Sequence, residues 1–468
     1  MAFLIGGANS AAADTAYDID NSLRVGNDHY LTRTFTEVTA ERKKHTMSCW
    51  AKRNDIGSEN HLLYSYQDGD NYSYIRFHSG NVIKYTIRAG GATVAYCETY
   101  AVYRDPSAWY HVVLVYDSAQ ATDTNRVKIY INNVQQSTQA ETWPTLNLES
   151  VVGDDCVHTI APSADGGLQV ADWYYIGNQA LTPSSFGETD EDSGIWKPKE
   201  YSGTFGSTND TFLEFKQTGT NQDSSGIGAD TSGEDNHWAV TNLAATDQTT
   251  DTPTNNFATF NPLMTFADMV SGTDNTLLWT EGNTTVTGET SGTPYVPSVG
   301  SIGVSSGKWY YEFYTSTTDS GTKICGAMNY DFTADGDKDM DDASYAVRAS
   351  SGTLYYNGST SDPSGTGEWK DDGDILSIAL NMDDSEISWA INGGSYVAAQ
   401  TISGNAIASG TMHPVAWVGD DEVVTVNFGN PNWALSSGVA DENGYGAFEY
   451  APPSGYYALC TKNLAEFG

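Results

Sequence analysis

Positive charge is what this sequence has least of. Across 468 residues, 22 Lys and Arg face 60 Asp and Glu, a formal net charge of −38. Such a chain repels phosphate backbones and anionic membrane surfaces, which argues against nucleic acid as a partner. Cysteine is scarce too. Cys49, Cys97, Cys156, Cys325 and Cys460 are scattered, odd in number and never spaced as CxxC. Neither a disulfide framework nor a zinc site is indicated, and buried free thiols made in a reducing cytosol are the expectation. No apolar run approaches the ~20 residues of a membrane span. The opening MAFLIGG has no Lys or Arg before its apolar run, so it reads as a terminal strand rather than a secretion signal. Amphipathic helices of convincing length are missing, and no heptads announce a coiled coil.

What is present is alternation. In the stretch Ala108–Gln135, Tyr110, Val112, Leu114 and Tyr116 fall on one side of a period-two pattern, and His111, Val113 and Val115 on the other. A polar loop, Asp117–Asn125, leads to a second alternating run with Val127, Ile129 and Ile131, then to Asn132–Asn133. Alternating β-branched and aromatic residues mark strands, and an Asn pair tolerates the positive φ of a tight hairpin. The same grammar returns at Asp374–Gly394, where Ile375–Asn381 and Ile387–Ile391 flank Asp383–Asp384 and are followed by Asn392–Gly393. Further short strands are predicted at Thr46–Lys52, His61–Tyr66, Tyr72–Phe77, Asn81–Arg88, Val170–Ile176, Lys308–Tyr314, Ser344–Arg348, Met412–Val418 and Val423–Phe428. Strands of this length, with a turn every ten residues or so, imply an all-β chain of tandem antiparallel β-sandwiches.

Particular wording goes further than periodicity. "TMSCWAKR", "AWYHVVLVYDS" with "NRVKIYINNVQ", and "DWYYIGNQALTPSSFGE" resemble the laminin-G/concanavalin-A-like lectin family, over roughly residues 1–200. "GKWYYEF", "GDILSIALNMDDSEISWAINGG", "HPVAWVGDDEVVTVNFG" and "PPSGYYALCTKN" resemble the SPRY (B30.2-like) domain, over about residues 264–468. The resemblance implies a concanavalin-A-like jelly roll at 1–198 and an SPRY-like sandwich at 264–468. Between them, residues 199–263 are rich in Thr, Asn, Asp, Ser and Gly, yet carry Trp238, Phe257 and Phe260. Rings in need of burial indicate an ordered connector rather than a free tether. The stretches 104–135 and 251–263 are similar in wording to tailed-bacteriophage virion proteins.

Concanavalin-like sandwiches include glucanases, and those carry alternating carboxylates such as Glu-x-Asp-x-Glu on one strand, where period two puts them on one face. Such a motif is missing. The nearest, Glu188–Asp192, lies between glycines without flanking alternation. Gly303–Gly307 matches Gly-x-Ser-x-Gly, but a strand rather than the helix of a nucleophile elbow follows it. His111 reads as a sheet histidine with its hydrogen bonds satisfied. The chain is therefore expected not to be an enzyme. The densest acidic cluster, Asp335, Asp337, Asp339 and Asp341, alternates as calcium loops do, but fails the EF-hand pattern at Met340 and Ala346. A solvated loop and a calcium site are both open readings there, with Asp154 and the Asp68/Asp70 pair as fainter candidates. Trp143 and Tyr100 fall outside strand alternation, where rings can stack on sugars while an acid such as Asp154 binds hydroxyls.

The combined expectation is a virion protein made in the host cytoplasm and displayed on the particle surface: a tail-fibre or receptor-binding protein for host glycans. A capsid decoration or head-fibre protein and a glycan depolymerase are the alternatives. Partners would be other virion proteins, a host cell-surface glycan and further copies of the chain, trimers being usual for fibres.

Overall fold

The computed structural model describes residues 17–139, 142–162, 166–264, 277–288, 296–316, 323–329, 344–356, 359–365, 367–404, 410–419 and 421–468. The chain divides into two compact units, with the boundary in sequence between Thr254 and Asn255. Both are antiparallel β-sandwiches, as the alternation predicts.

The first unit begins with β1 (Ser22–Val25), β2 (Tyr30–Thr34), β3 (Lys44–Arg53), β4 (Asn60–Asp68), β5 (Asn71–Phe77), β6 (Ile83–Ala89), β7 (Ala92–Glu98), β8 (Trp109–Asp117), β9 (Val127–Ile131), β10 (Val134–Gln135), β11 (Val157–Ile160) and β12 (Leu168–Gly177). One sheet runs β10-β9-β8-β3-β12-β1 and ends on Gln248–Thr249, with Thr211–Leu213 paired to β12. The other runs from Ala239–Thr241 through β2, β11, β4, β5, β6 and β7. Leu63, Ile75, Phe77, Ile83, Tyr85 and Ile87 from the second sheet meet Met47, Cys49, Val112, Leu114, Tyr116 and Ile129 from the first. The β9–β10 hairpin has the expected turn, with Asn132 and Asn133 at φ 47° and 68°. A side chain bearing a normal Cβ is disfavoured in that region by about 1 kcal/mol, and Asn is among the residues that tolerate it. Asn133→Ala should therefore lower the stability of this unit by roughly 1 kcal/mol, read as a shift in the urea midpoint with an unchanged slope.

The stretch 199–254 has no core apart from this unit. It supplies three short strands to the two sheets, and Trp238, fully buried, joins the same core as Trp173. Further apolar clusters cover the outer face of the first sheet. Trp50, Trp109 and Ala171 pack with Ile19, Tyr17 and Trp196, and Tyr174 and Ile176 pack with Phe186, Tyr201 and Phe205. Val113 and Val115, on the side of β8 away from the sandwich core, are buried as well.

In the second unit one sheet orders Leu277–Thr280, Thr285–Gly288, Val423–Asn427, Lys308–Tyr314, Ile375–Asn381, Glu386–Ile391 and Gln400–Thr401, with Tyr457–Ala458 parallel to Lys308–Tyr314. The other orders Val296–Val299, His413–Val418, Ile324–Met328, Ser344–Arg348, Leu354–Tyr356 and Ser359–Ser361. Trp309, Tyr311, Phe313, Ile378, Trp389 and Val426 fill the space between. Residues 255–263 belong here: Phe257 bridges to Cys460 and Phe260 to Gly300. A C-terminal helix, Thr461–Phe467, which the sequence reading lacked, stacks Phe467 on Tyr457 at 3.9 Å.

Candidate functional site

With one face of the first sandwich covered, its other outer face, on the second sheet, is the one to search. Strand register sorts its outward side chains into three rows. One runs Thr32, Thr159, Tyr64, Tyr74, Thr86, Tyr96. A second runs Thr34, Val157, Tyr66, Tyr72, Arg88, Thr93. The third runs His61, Arg76, Lys84, Glu98. Strands lie ~4.8 Å apart, so five of them span about 20 Å, a surface suited to several sugar rings rather than one.

The middle of the face is aromatic. Tyr64 lies 5.8 Å from Tyr66, 6.0 Å from Tyr72 and 6.4 Å from Tyr74, ring centre to ring centre. Tyr72 and Tyr74 are near-parallel, 6.1 Å apart. Tyr66 is 44% exposed and Val157 beside it 43%, so the rings form an open platform. Burial, followed by the neighbouring phenols, pushes the Tyr64 hydroxyl up to about 12. It stays neutral and able both to donate and to accept a hydrogen bond.

Cations flank the rings. The Arg76 guanidinium sits 4.2 Å over Tyr74 and the Lys84 ammonium 4.6 Å over Tyr96. Arg76 also pairs with Glu59, and His61 Nε2 lies 3.3 Å from its guanidinium. The Lys84 pKa is lowered, first by burial and then by Arg76. The same two causes, with Lys84 added, lower that of His78. Thr86 Oγ1, Arg76 Nε and Arg88 Nε are buried here without a hydrogen-bond partner in the protein.

The residues singled out in the sequence fall elsewhere. Trp143 packs its ring partly into the sandwich core. Tyr100 is 66% exposed at the β7 edge, where its N–H donates to Ser137 O at 3.1 Å. Asp154 is buried against Arg42, 3.2 Å away. The structure does not gather these three into one site. Asp68 caps its own turn, accepting from Asp70 N at 2.8 Å and Asn71 Nδ2 at 3.0 Å. Asp335, Asp337, Asp339 and Asp341 lie outside the described residues. Among the described residues, no group of three or more His, Cys, Asp or Glu is placed to hold a metal ion.

Several acids and a histidine among the described residues hold the fold together. Asp190, in the ETDED stretch, accepts from Ser193 N and pairs with Lys197 at 3.2 Å, and the Ser193 hydrogen bonds hold it down to about 2. His111 accepts from Trp196 Nε1 at 3.0 Å and faces Ser48 Oγ at 2.9 Å, and burial holds it neutral, down to about 3. Glu41 accepts from Asn209 Nδ2 at 2.8 Å, and Asp210 from the N–H groups of Gly177, Gly206 and Ser207. In the second unit, Glu312 takes Tyr310 Oη, Asn427 Nδ2 and the N–H groups of Glu449 and Tyr450 at 2.8–3.1 Å. The five cysteines are buried thiols outside any disulfide, as the scatter predicts.

The chain is thus two antiparallel sandwiches, one with an aromatic outer face. The family comparisons give each sandwich its place. Residues 25–184 match the concanavalin A-like lectin/glucanases superfamily, and residues 308–431 match the SPRY domain. The chain thus carries a concanavalin A-like domain followed by an SPRY domain, the composition of a carbohydrate- or ligand-binding module. Similar solved structures include the SPRY domain of human HERC1, at 22% identity over 36% of this chain and 96% of that one, with a TM-score of 0.28. Another is the native heptameric SAP-like pentraxin from Limulus polyphemus, at 14% identity over 36% of this chain and 80% of that one, with a TM-score of 0.26. No curated protein matches the chain. Among the described residues, no helix is long and apolar enough to cross a membrane.

Proposed function

We propose that this chain is a surface protein of a tailed-phage virion, a tail-fibre or receptor-binding protein that holds a host glycan on the tyrosine face of its concanavalin A-like domain. The observation that carries the reading is the cluster of Tyr64, Tyr66 and Tyr72 on one sheet face, backed by the buried Tyr74. Pyranose rings present C–H faces that stack on aromatic rings, while phenol, Thr and Arg groups meet their hydroxyls. A rigid sheet holds these groups in place before the ligand arrives, so little ordering entropy is lost on binding. The phage assignment rests on the wording of residues 104–135 and 251–263. Binding without catalysis fits the way the buried acids are already committed to backbone and side-chain donors.

The test is binding of the whole chain to purified host-surface polysaccharide, compared with Tyr66→Ala. The variant should lose about tenfold in affinity. Its thermal midpoint should hardly move, because a partly exposed ring contributes within about 0.5 kcal/mol to folding. Equal binding by the two chains would sink the platform. Gold-labelled antibody on intact particles tests the location: label at the tail tip supports the fibre role, and label spread over the capsid replaces it with decoration.

A further inference from the structure

The glycan reading leaves the charge of the ligand open, and the same face carries an answer. The chain has 60 acidic residues against 22 basic ones, so a cation can usually find a carboxylate nearby. On this face Arg76 and Lys84 instead stand directly opposite each other on β5 and β6. Arg88 stands two strand positions from Thr86, on the same side and opposite Tyr72. Like charges directly opposite in a sheet destabilise it. Among the described residues neither Lys84 nor Arg88 has an ion-pair partner. Lys84 rests on the Tyr96 ring, and Arg88 keeps its Nε buried with no acceptor. Thr86, only 4% exposed, lies in the row between them with its hydroxyl unpartnered.

Glu59 and Glu98, the carboxylates near Lys84, act on it through space but are held by other donors. Glu59 is engaged by Arg76 and lies 3.6 Å from His78 Nε2. Glu98, across from Lys84, takes the Tyr96 hydroxyl and, at 2.6 Å, the Gln139 amide. What remains is two cations and a buried hydroxyl beside an aromatic platform, in an otherwise acidic protein. Beyond the Lys84–Tyr96 contact, folding draws no pairing from that arrangement, whereas an anion placed over Thr86 would lie beside all three groups at once.

Resting on the platform reading, we propose that the ligand is an anionic oligosaccharide whose carboxylate or sulfate group sits among Lys84, Thr86 and Arg88 while its rings stack on Tyr64, Tyr66 and Tyr72. Arg88 supplies a planar fork of donors, Lys84 a point charge and Thr86 a neutral donor, a set matched to a planar carboxylate or a tetrahedral sulfate. The acidic remainder of the chain sets the price of entry: uncommitted anions are repelled at long range, and only one that also stacks is retained.

The test uses the full chain at about 150 mM salt, where charges farther than ~8 Å away are screened. Calorimetric titrations with an oligogalacturonate, a sulfated dextran oligomer and a neutral maltooligosaccharide are compared for the parent, Arg88→Gln, Lys84→Gln and Tyr66→Ala. The parent should bind one of the two anionic probes at least about tenfold more tightly than the neutral one, and which of them binds identifies the acid group. Arg88→Gln and Lys84→Gln should each remove most of that preference, while Tyr66→Ala should weaken every probe that binds. Unchanged melting temperatures of the Gln variants show that folding is intact. Equal binding of neutral and anionic probes, lost in Tyr66→Ala, overturns the anionic assignment and leaves the platform standing. Anion binding indifferent to Arg88 and Lys84 overturns the assignment as well. Silence with all three probes overturns it together with the glycan reading.

Discussion

Replacing Asp251 by Ala should cost the first unit about 3–5 kcal/mol, the largest loss expected from any single substitution considered. Its carboxylate lies 2.7 Å from Lys52 Nζ, and both side chains are fully buried. Gln169 Nε2 at 3.3 Å and Trp109 Nε1 at 3.4 Å also donate to it, and the Ser22 hydroxyl donates to its backbone carbonyl at 2.6 Å. One residue from the polar stretch after the jelly roll thus ties down β1, β3, β8 and β12. Removing the acid takes the carboxylate 2.7 Å from the Lys52 ammonium out of a dry interior, and the desolvated charge it had balanced, more than the lost attraction, is what destabilises. The double variant Lys52→Met/Asp251→Leu should recover most of the loss, since an apolar pair of similar size carries no desolvation penalty. Urea unfolding of the three chains decides the matter. A single-variant loss below about 1 kcal/mol, or a double variant no better than the single, would show that the pair is not acting as a buried charge couple.

How far the sequence could be read follows from the range of the interactions. Period-two alternation and Asn-Asn or Asn-Gly turns are local, so β8 and β9 and the later hairpin Ile375–Asn381/Glu386–Ile391 are legible almost residue by residue. Lys52 and Asp251 are 199 positions apart, and nothing local announces their pairing. The same holds for Trp238, whose burial beside Trp173 the need for a core predicts but whose partner it does not. The tyrosine platform is a different kind of miss. The run YSYQDGDNYSYIRF places Tyr64, Tyr66, Tyr72 and Tyr74 on one face of a hairpin, with Ser65, Ser73, Ile75 and Phe77 on the other. Alternation finds both faces but does not say which one looks inward. Arg76, in phase with the tyrosines, was the available clue: a guanidinium two positions from Tyr74 marks that face as the one nearer water. Trp143, a large ring outside any strand, looked more available than it is, because the segment carrying it bridges to Tyr96 and turns the indole toward the core.

Acid should stabilise one part of this fold, against the usual trend for an acidic protein. Asp172 sits in a bulge of β12 at φ 43°, 5% exposed, and accepts the Tyr17 hydroxyl at 2.7 Å. Burial, reinforced by Glu214 and Asp20 and opposed by the Tyr17 hydrogen bond and Lys216, pushes its carboxyl up from 3.8 to about 7. The unfolded chain holds this acid ionised above about pH 4, whereas the fold prefers it protonated until about pH 7. Its contribution is therefore fully present below pH 4, falls away between pH 4 and 7, and stays lost above that. The whole shift corresponds to at most about 4 kcal/mol. Asp172→Asn keeps an acceptor for Tyr17, tolerates the positive φ and carries no charge to desolvate. It should be the more stable chain at pH 8, by several kcal/mol at the upper limit, and its advantage should shrink by more than half by pH 5. Other buried acids, Glu41, Asp210 and Glu312 among them, titrate equally in both chains, so the difference between the two stability curves isolates Asp172. Parallel curves from pH 5 to 8 would mean that the carboxyl is ionised in the folded state throughout. Tyr17 would then be holding a charge rather than a neutral acid, and the bulge of β12 would be stabilised by that charge-assisted bond instead of by burial.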